Sequence, residues 1–151
     1  MTDNVNHPSH YSRFRFTCEP KDFTKFLPHP LASAIEYIIR APHKGNELED
    51  LEKADFWLRE LVNTPGLWST RVDTEGNEFL VLRLPNNLDS AFYASAWALM
   101  SQCEFLEDYL CEALPGHLTK RTVSAMAVDL QARIRDLKIK AGKDPIEEEA
   151  Q

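Results

Sequence analysis

Residues 30–40, Pro-Leu-Ala-Ser-Ala-Ile-Glu-Tyr-Ile-Ile-Arg, lead through Ala41-Pro42-His43-Lys44-Gly45 into residues 46–62, Asn-Glu-Leu-Glu-Asp-Leu-Glu-Lys-Ala-Asp-Phe-Trp-Leu-Arg-Glu-Leu-Val, and this stretch decides the fold. Pro30 suits a first helical turn, and Leu31, Ala34, Ile35, Ile38 and Ile39 recur at helical spacing until Pro42 and Gly45 end the run. Asn46 with Glu49 three residues later reads as a cap and capping box. Beyond it Leu48, Leu51, Ala54, Leu58, Leu61 and Val62 trace a second apolar stripe. Two amphipathic helices joined by so short a turn should pair as a hairpin. Tyr37 and Arg40 then share a face away from the first stripe.

Outward from this hairpin the punctuation continues. Upstream, residues 20–26 predict a brief helix that ends before Leu27-Pro28. Downstream, Leu67–Val72 and Glu78–Arg83 read as strands around the turn residues Asp73-Thr74-Glu75-Gly76-Asn77. Two strands alone are marginal, so they should lie on the helices or pair with another subunit. Leu88–Ala113 predicts one long helix with Phe92, Ala96, Leu99, Cys103, Leu106 and Leu110 at core spacing, stopping near Pro115-Gly116. From Thr119 a last helix carries Val123, Met126, Leu130, Ile134 and Leu137 down one side, as core or as a subunit contact. The expected fold class is mainly α: a helical hairpin plus two long C-terminal helices, with a small β-hairpin between them. Residues 1–62 form the first helical module, 63–86 the β-hairpin and connector, 87–143 the C-terminal helical pair, and 144–151 a disordered acidic tail, all within one compact domain.

Composition bounds the function classes. A chain of 151 residues can bury a core without staples, and three cysteines, Cys18, Cys103 and Cys111, leave at least one thiol without an intrachain partner. No apolar run approaches a membrane span and the N-terminus shows no signal pattern, so a cytoplasmic protein that does not engage membranes is expected. The net charge of −7 argues against general nucleic-acid binding through phosphates. Small anions remain open to local basic clusters: Arg13 and Arg15, and Arg40, His43 and Lys44.

The segment Val5-Asn6-His7-Pro8-Ser9-His10-Tyr11 stands apart. Its imidazoles can donate, accept or titrate near neutral pH, and its tyrosine can stack on a base. The plainer reading is turn chemistry around Pro8-Ser9. Walker, Rossmann and Cys-x-x-Cys signatures are lacking, and His7-x-x-His10 spans a proline without a marked third ligand, so no resident metal is expected. Glu49, Glu52 and Asp55, with Glu36 on the partner helix, offer carboxylates for Mg²⁺ in the manner of all-helical nucleoside triphosphate pyrophosphohydrolases. That pattern wants a second acidic residue three after Glu36, where Ile39 stands. Charge runs such as Glu47–Glu52 otherwise read as solvated helix face.

Together three blocks carry a resemblance: Val5 to Tyr11, then Ala34-Ile35-Glu36-Tyr37-Ile38-Ile39-Arg40-Ala41-Pro42-His43-Lys44-Gly45, then Glu49-Asp50-Leu51-Glu52-Lys53-Ala54-Asp55-Phe56-Trp57-Leu58. Over about residues 5–62 the chain resembles the SaV-like family of small phage proteins, which includes a nucleotide kinase of short-tailed coliphages. The resemblance implies phosphoryl transfer between nucleotides without a Walker loop, and a host-cell cytoplasmic setting. It points to His10, Arg40 and Lys44 for catalysis and to His7, Tyr11, Tyr37, Arg40 and Lys44 for nucleotide binding; Lys53 is a further binding candidate, and the plainer reading of Arg40, Lys44 and above all Lys53 is solvated helix charge. Arg40 would grip a phosphate bidentately, Lys44 would supply a point charge, His10 would relay a proton, and Tyr11 or Tyr37 would stack on the base. Mg²⁺ would arrive with the nucleotide, with no cofactor bound permanently. Where the family commonly has Gly-Asn and then a lysine, this chain has Ala32, Ser33 and Glu36, a charge reversal that weakens anion binding or turns the site toward a metal-bridged nucleotide. The leading expectation is thus a homo-oligomeric nucleotide-handling protein of kinase type, and two further readings stand beside it: a non-catalytic protein that sequesters a nucleotide, and an inhibitor that binds a host protein through residues 63–151.

Overall fold

The computed structural model describes residues 20–43, 45–110 and 118–142. The chain is mostly helical with one small antiparallel sheet. Helix α1 is Lys21–Thr24, α2 is His29–Arg40 and α3 is Glu47–Val62; strands β1, Trp68–Val72, and β2, Glu78–Leu82, follow; α4 is Ser90–Met100, α5 Glu104–Leu110 and α6 Lys120–Lys140. Short 3₁₀ turns at Ala41–His43 and Pro65–Leu67 lead into α3 and β1.

Helices α2 and α3 form the expected hairpin, and α3 packs on its other side against α6. All five apolar residues of the α2 stripe are buried, as are Leu51, Ala54, Leu58 and Leu61 of α3. They share one core with Phe23 of α1 and with Val123, Met126, Leu130 and Ile134, which makes the apolar seam of α6 part of this core. Between α2 and α3 the chain turns at Gly45, whose φ of +76° lies in the region glycine occupies without strain. The predicted capping box at Asn46 is not formed: the Asn46 side chain makes no cap hydrogen bond, and Glu49 turns instead to Lys53.

The strands pair from Trp68↔Leu82 to Val72↔Glu78, and the hairpin lies on the helices of its own chain. Trp68 and Leu82 are buried, and the Trp68 indole N–H donates to the Leu61 carbonyl at 2.9 Å. The Leu82 N–H donates to the Leu118 carbonyl at 2.9 Å, and Val81 bridges Thr119, so the segment entering α6 extends the sheet. At the tip the Asp73 carboxylate accepts from the N–H groups of Glu75 at 2.8 Å and Asn77 at 2.9 Å, with Gly76 at φ +87°. These bonds, that of Asn77 first, hold the Asp73 carboxyl below its ordinary value of 3.8. A depressed carboxyl stabilises the fold above its unfolded pKa and loses that contribution as pH falls through the folded one. The amides of Glu75 and Asn77 are therefore expected to lose exchange protection as pH falls below 3.8, and NMR titration of Asp73→Asn should show no such acid step.

One expected element is corrected. The single helix predicted over Leu88–Ala113 is broken: α4 stops at Met100, Ser101–Cys103 turn, and α5 restarts at Glu104. Tight bonds from Gln102 N–H to Leu99 and from Cys103 N–H to Met100 close α4, and the Ser101 hydroxyl donates to the Ala98 carbonyl. Ser101 and Gln102 bring no apolar contact that would reward continuing the helix through them. The break re-aims α5 so that Phe105 joins Leu106 and Leu110 in the core, while Cys103 is only half-buried. Residues 111–113 of that predicted helix, and the tail from 144, lie outside the described residues.

Candidate functional site

One side of the α2–α3 hairpin carries a ladder of polar and aromatic side chains, set by the antiparallel pairing of the helices. His29, Tyr37 and Arg40 of α2 face Trp57, Lys53 and Asp50 of α3 in that order. The His29 and Trp57 rings meet edge to face at 4.9 Å, and the Ser33 hydroxyl lies 3.5 Å from His29 Nε2. Next to them the Tyr37 ring receives two cations, with Arg40 at 4.9 Å and Lys53 at 5.6 Å from its centroid. Both are within reach of the negative face of the ring. Arg40 also lies 3.8 Å from Asp50 Oδ1, and Lys53 Nζ is 3.1 Å from Glu49. The hydrogen bond and then the charge of Glu49 raise the Lys53 ammonium above its ordinary value of 10.5, so it stays cationic throughout the neutral range.

Asp50 is the residue the sequence reading missed. It stands in the acidic run taken for solvated helix face, yet it is 3% exposed. Its position four before Ala54 on the buried stripe was the available signal. A buried carboxylate is costly unless paired, and the Arg40 guanidinium is its counter-charge. The pairing is loose: Arg40 Nε and Asp50 Oδ2 are both enclosed and neither has a hydrogen-bond partner. Arg40 is thus a structural counter-ion as well as a candidate phosphate clamp.

Of the other expected site residues, His7, His10, Tyr11 and Lys44 lie outside the described residues, as do Arg13 and Arg15. The acidic constellation does not assemble. Glu36 accepts from the Thr24 hydroxyl at 3.0 Å, Glu49 holds Lys53, and Asp55 takes Arg59 at 2.6 Å. Among the described residues no group of three or more histidine, cysteine, aspartate or glutamate side chains is placed to hold a metal ion. Glu36, the charge-reversed position, thus serves to tie α1 to α2.

Two cavities flank the hairpin. The first, about 430 Å³, is walled by Ile38, Ile39, Leu51, Phe105, Leu130 and Leu137 and bordered by the Ala41–His43 turn. Cys103 opens onto it, and burial raises that thiol above its ordinary pKa of 9.0. The second, about 440 Å³, is a polar groove between α3 and α6 beside Asp55, Arg59, Arg135 and Lys138. Tyr37, Arg40 and Lys53 line neither.

A domain of the family DUF3310, described as a protein of unknown function, is found at residues 5–59. It takes in α1, α2 and α3 as far as Arg59, and with them the ladder from His29 to Asp50. No curated protein and no solved structure matches the chain. Among the described residues no helix is long and apolar enough to cross a membrane.

Proposed function

We propose that this protein binds a nucleotide or a related small phosphorylated molecule on the Tyr37 face of the α2–α3 hairpin, and that it is a phage-type nucleoside monophosphate kinase without a Walker loop. The observation that carries the reading is the convergence of Arg40 and Lys53 on the one ring of Tyr37, from two different helices. Cations fixed side by side favour an anion that can bridge them, and a phosphoryl group offers the oxygens to do so. Arg40 supplies the fork and Lys53 the mobile point charge. Within the cluster Glu49 and Asp50 offset these two charges, so added attraction for phosphate falls to Lys44 and to the histidines His7 and His10. The resemblance of the three sequence blocks to SaV-like phage proteins supports the same assignment. In this reading His10, Arg40 and Lys44 act on the transferred phosphoryl group, where positioning and charge neutralisation dominate catalysis.

The test is to incubate the protein with nucleoside mono- and triphosphates and Mg²⁺, and to follow free and bound species by chromatography and mass. Diphosphate products support the kinase; monophosphate with pyrophosphate points to a pyrophosphohydrolase; retention without turnover is the sequestering reading. Neither turnover nor retention refutes a nucleotide function for the ligands tried and leaves a protein partner as the reading to pursue. Lys53→Ala is expected to lower nucleotide affinity by about fivefold, the order of one exposed cationic contact. Its melting temperature should stay that of the wild type, because an exposed ion pair adds little to stability. Calorimetric titration and a thermal melt check the two halves of this expectation.

A further inference from the structure

If the phosphates meet Arg40 and Lys53, the base needs a seat. Tyr37 is a poor one, since its ring is already engaged by two cations. The chain itself leads from the phosphate face to an alternative. Immediately after Arg40, the Ala41-Pro42-His43 turn forms one wall of the 430 Å³ cavity, so a single short segment borders both places. A cavity of this size, apolar within and polar at a few points, is of the kind that takes a small organic ligand.

The walls and rim define that ligand further. Ile38, Ile39 and Leu51 from the hairpin face Leu130 and Leu137 of α6, which suits a flat apolar body. At the rim, Glu47, Glu104 and Asp136 present carboxylates, and Gln102 adds an amide. No ion pair among the described residues joins these three carboxylates to a basic side chain. Arg133, which also lines the cavity, is spread over the Phe105 ring at 4.7 Å and reaches toward Asp129 at 3.9 Å. The rim thus presents three carboxylates and the Gln102 amide as acceptors, alongside the basic side chains of His43 and Lys140. We infer that this cavity seats the base of the nucleotide and selects bases that carry an exocyclic amino group, guanine, adenine or cytosine, over thymine and uracil. The amino hydrogens would donate to a rim carboxylate, where O4 of thymine or uracil would instead set a lone pair against the negative charge.

This inference rests on the nucleotide reading, and the experiment separates the two. Nucleosides, which have no phosphate, probe the cavity; inorganic tripolyphosphate probes the cationic face. By titration calorimetry, guanosine, adenosine or cytidine is expected to bind at least about fivefold tighter than thymidine and uridine, the lower end of what one good base contact discriminates. Leu137→Trp, which fills the cavity from a partly buried position, should abolish nucleoside binding and leave tripolyphosphate binding intact. Glu104→Gln, an exposed change with no core to disturb, should reduce the preference for amino-bearing bases. Thymidine binding as well as the others, or nucleoside binding that survives Leu137→Trp in a folded variant, overturns the inference. Tripolyphosphate binding without any nucleoside binding overturns it too, while sparing the phosphate site; binding of neither removes both.

Discussion

Arg40→Ala is expected to destabilise the fold by about 3 kcal/mol, at the lower end of the cost of stranding one member of a buried ion pair. Asp50, which is 3% exposed, would lose the guanidinium paired with it. The lower end applies because the Arg40 side chain is itself 27% exposed, which lets water reach the vacated space. For a domain of this length the melting temperature should fall by about 6–12 °C. The paired change Arg40→Met with Asp50→Leu should recover most of the loss, because a buried ion pair replaced by apolar groups of similar size is often neutral. Urea denaturation of the two variants checks this; an Arg40→Ala midpoint equal to wild type would show that the pair bears no weight. The result decides how activity data are read, since lost turnover in Arg40→Ala would mix lost phosphate contact with a weakened hairpin. Lys53→Ala is the cleaner probe of the ligand.

Trp68→Ala should cost as much or more, about 3–5 kcal/mol. Trp68 is 5% exposed, and its indole N–H satisfies the Leu61 carbonyl at the C-terminal end of α3. Truncation would open a cavity under the hairpin and leave the Leu61 carbonyl with only the longer bond from the Thr64 N–H at 3.5 Å. Trp68→Phe keeps most of the ring volume and loses the N–H, so its expected cost is about 0.5–1.5 kcal/mol, the net contribution of one hydrogen bond to an acceptor that keeps the Thr64 N–H. Equal urea midpoints for the two variants would place the whole effect in the hydrogen bond and none in packing.

The hairpin of α2 and α3 was legible in the sequence because its apolar spacing, its proline start and its glycine turn agreed with one another. The β-hairpin was legible from turn residues flanked by β-favouring runs. What defeated the reading of Leu88–Ala113 was that Phe92, Ala96, Leu99, Cys103, Leu106 and Leu110 keep helical spacing straight across the break at Ser101–Cys103, so the periodicity carried no sign of the turn. At the candidate site Tyr37, Arg40 and Lys53 were named from the sequence and the fold brings them together. Asp50 was not named, because a carboxylate in an acidic run looks like solvated surface until tertiary packing closes over it. The capping box at Asn46 failed for the converse reason: Glu49 had a lysine one turn away that offered a full charge in place of a backbone N–H.

Helix α6 supplies the far side of α3, and every residue of it lies beyond the segment that matches DUF3310. During synthesis the matched segment must leave the ribosome well before the helix that covers it. Until residue 140 or so has emerged, the nascent hairpin has one flank without its packing partner, and the sheet lacks the Leu118–Thr119 extension. Packing of the hairpin's second flank therefore waits for α6, and a gene fragment stopping near residue 62 would yield an aggregation-prone peptide in place of a portable module.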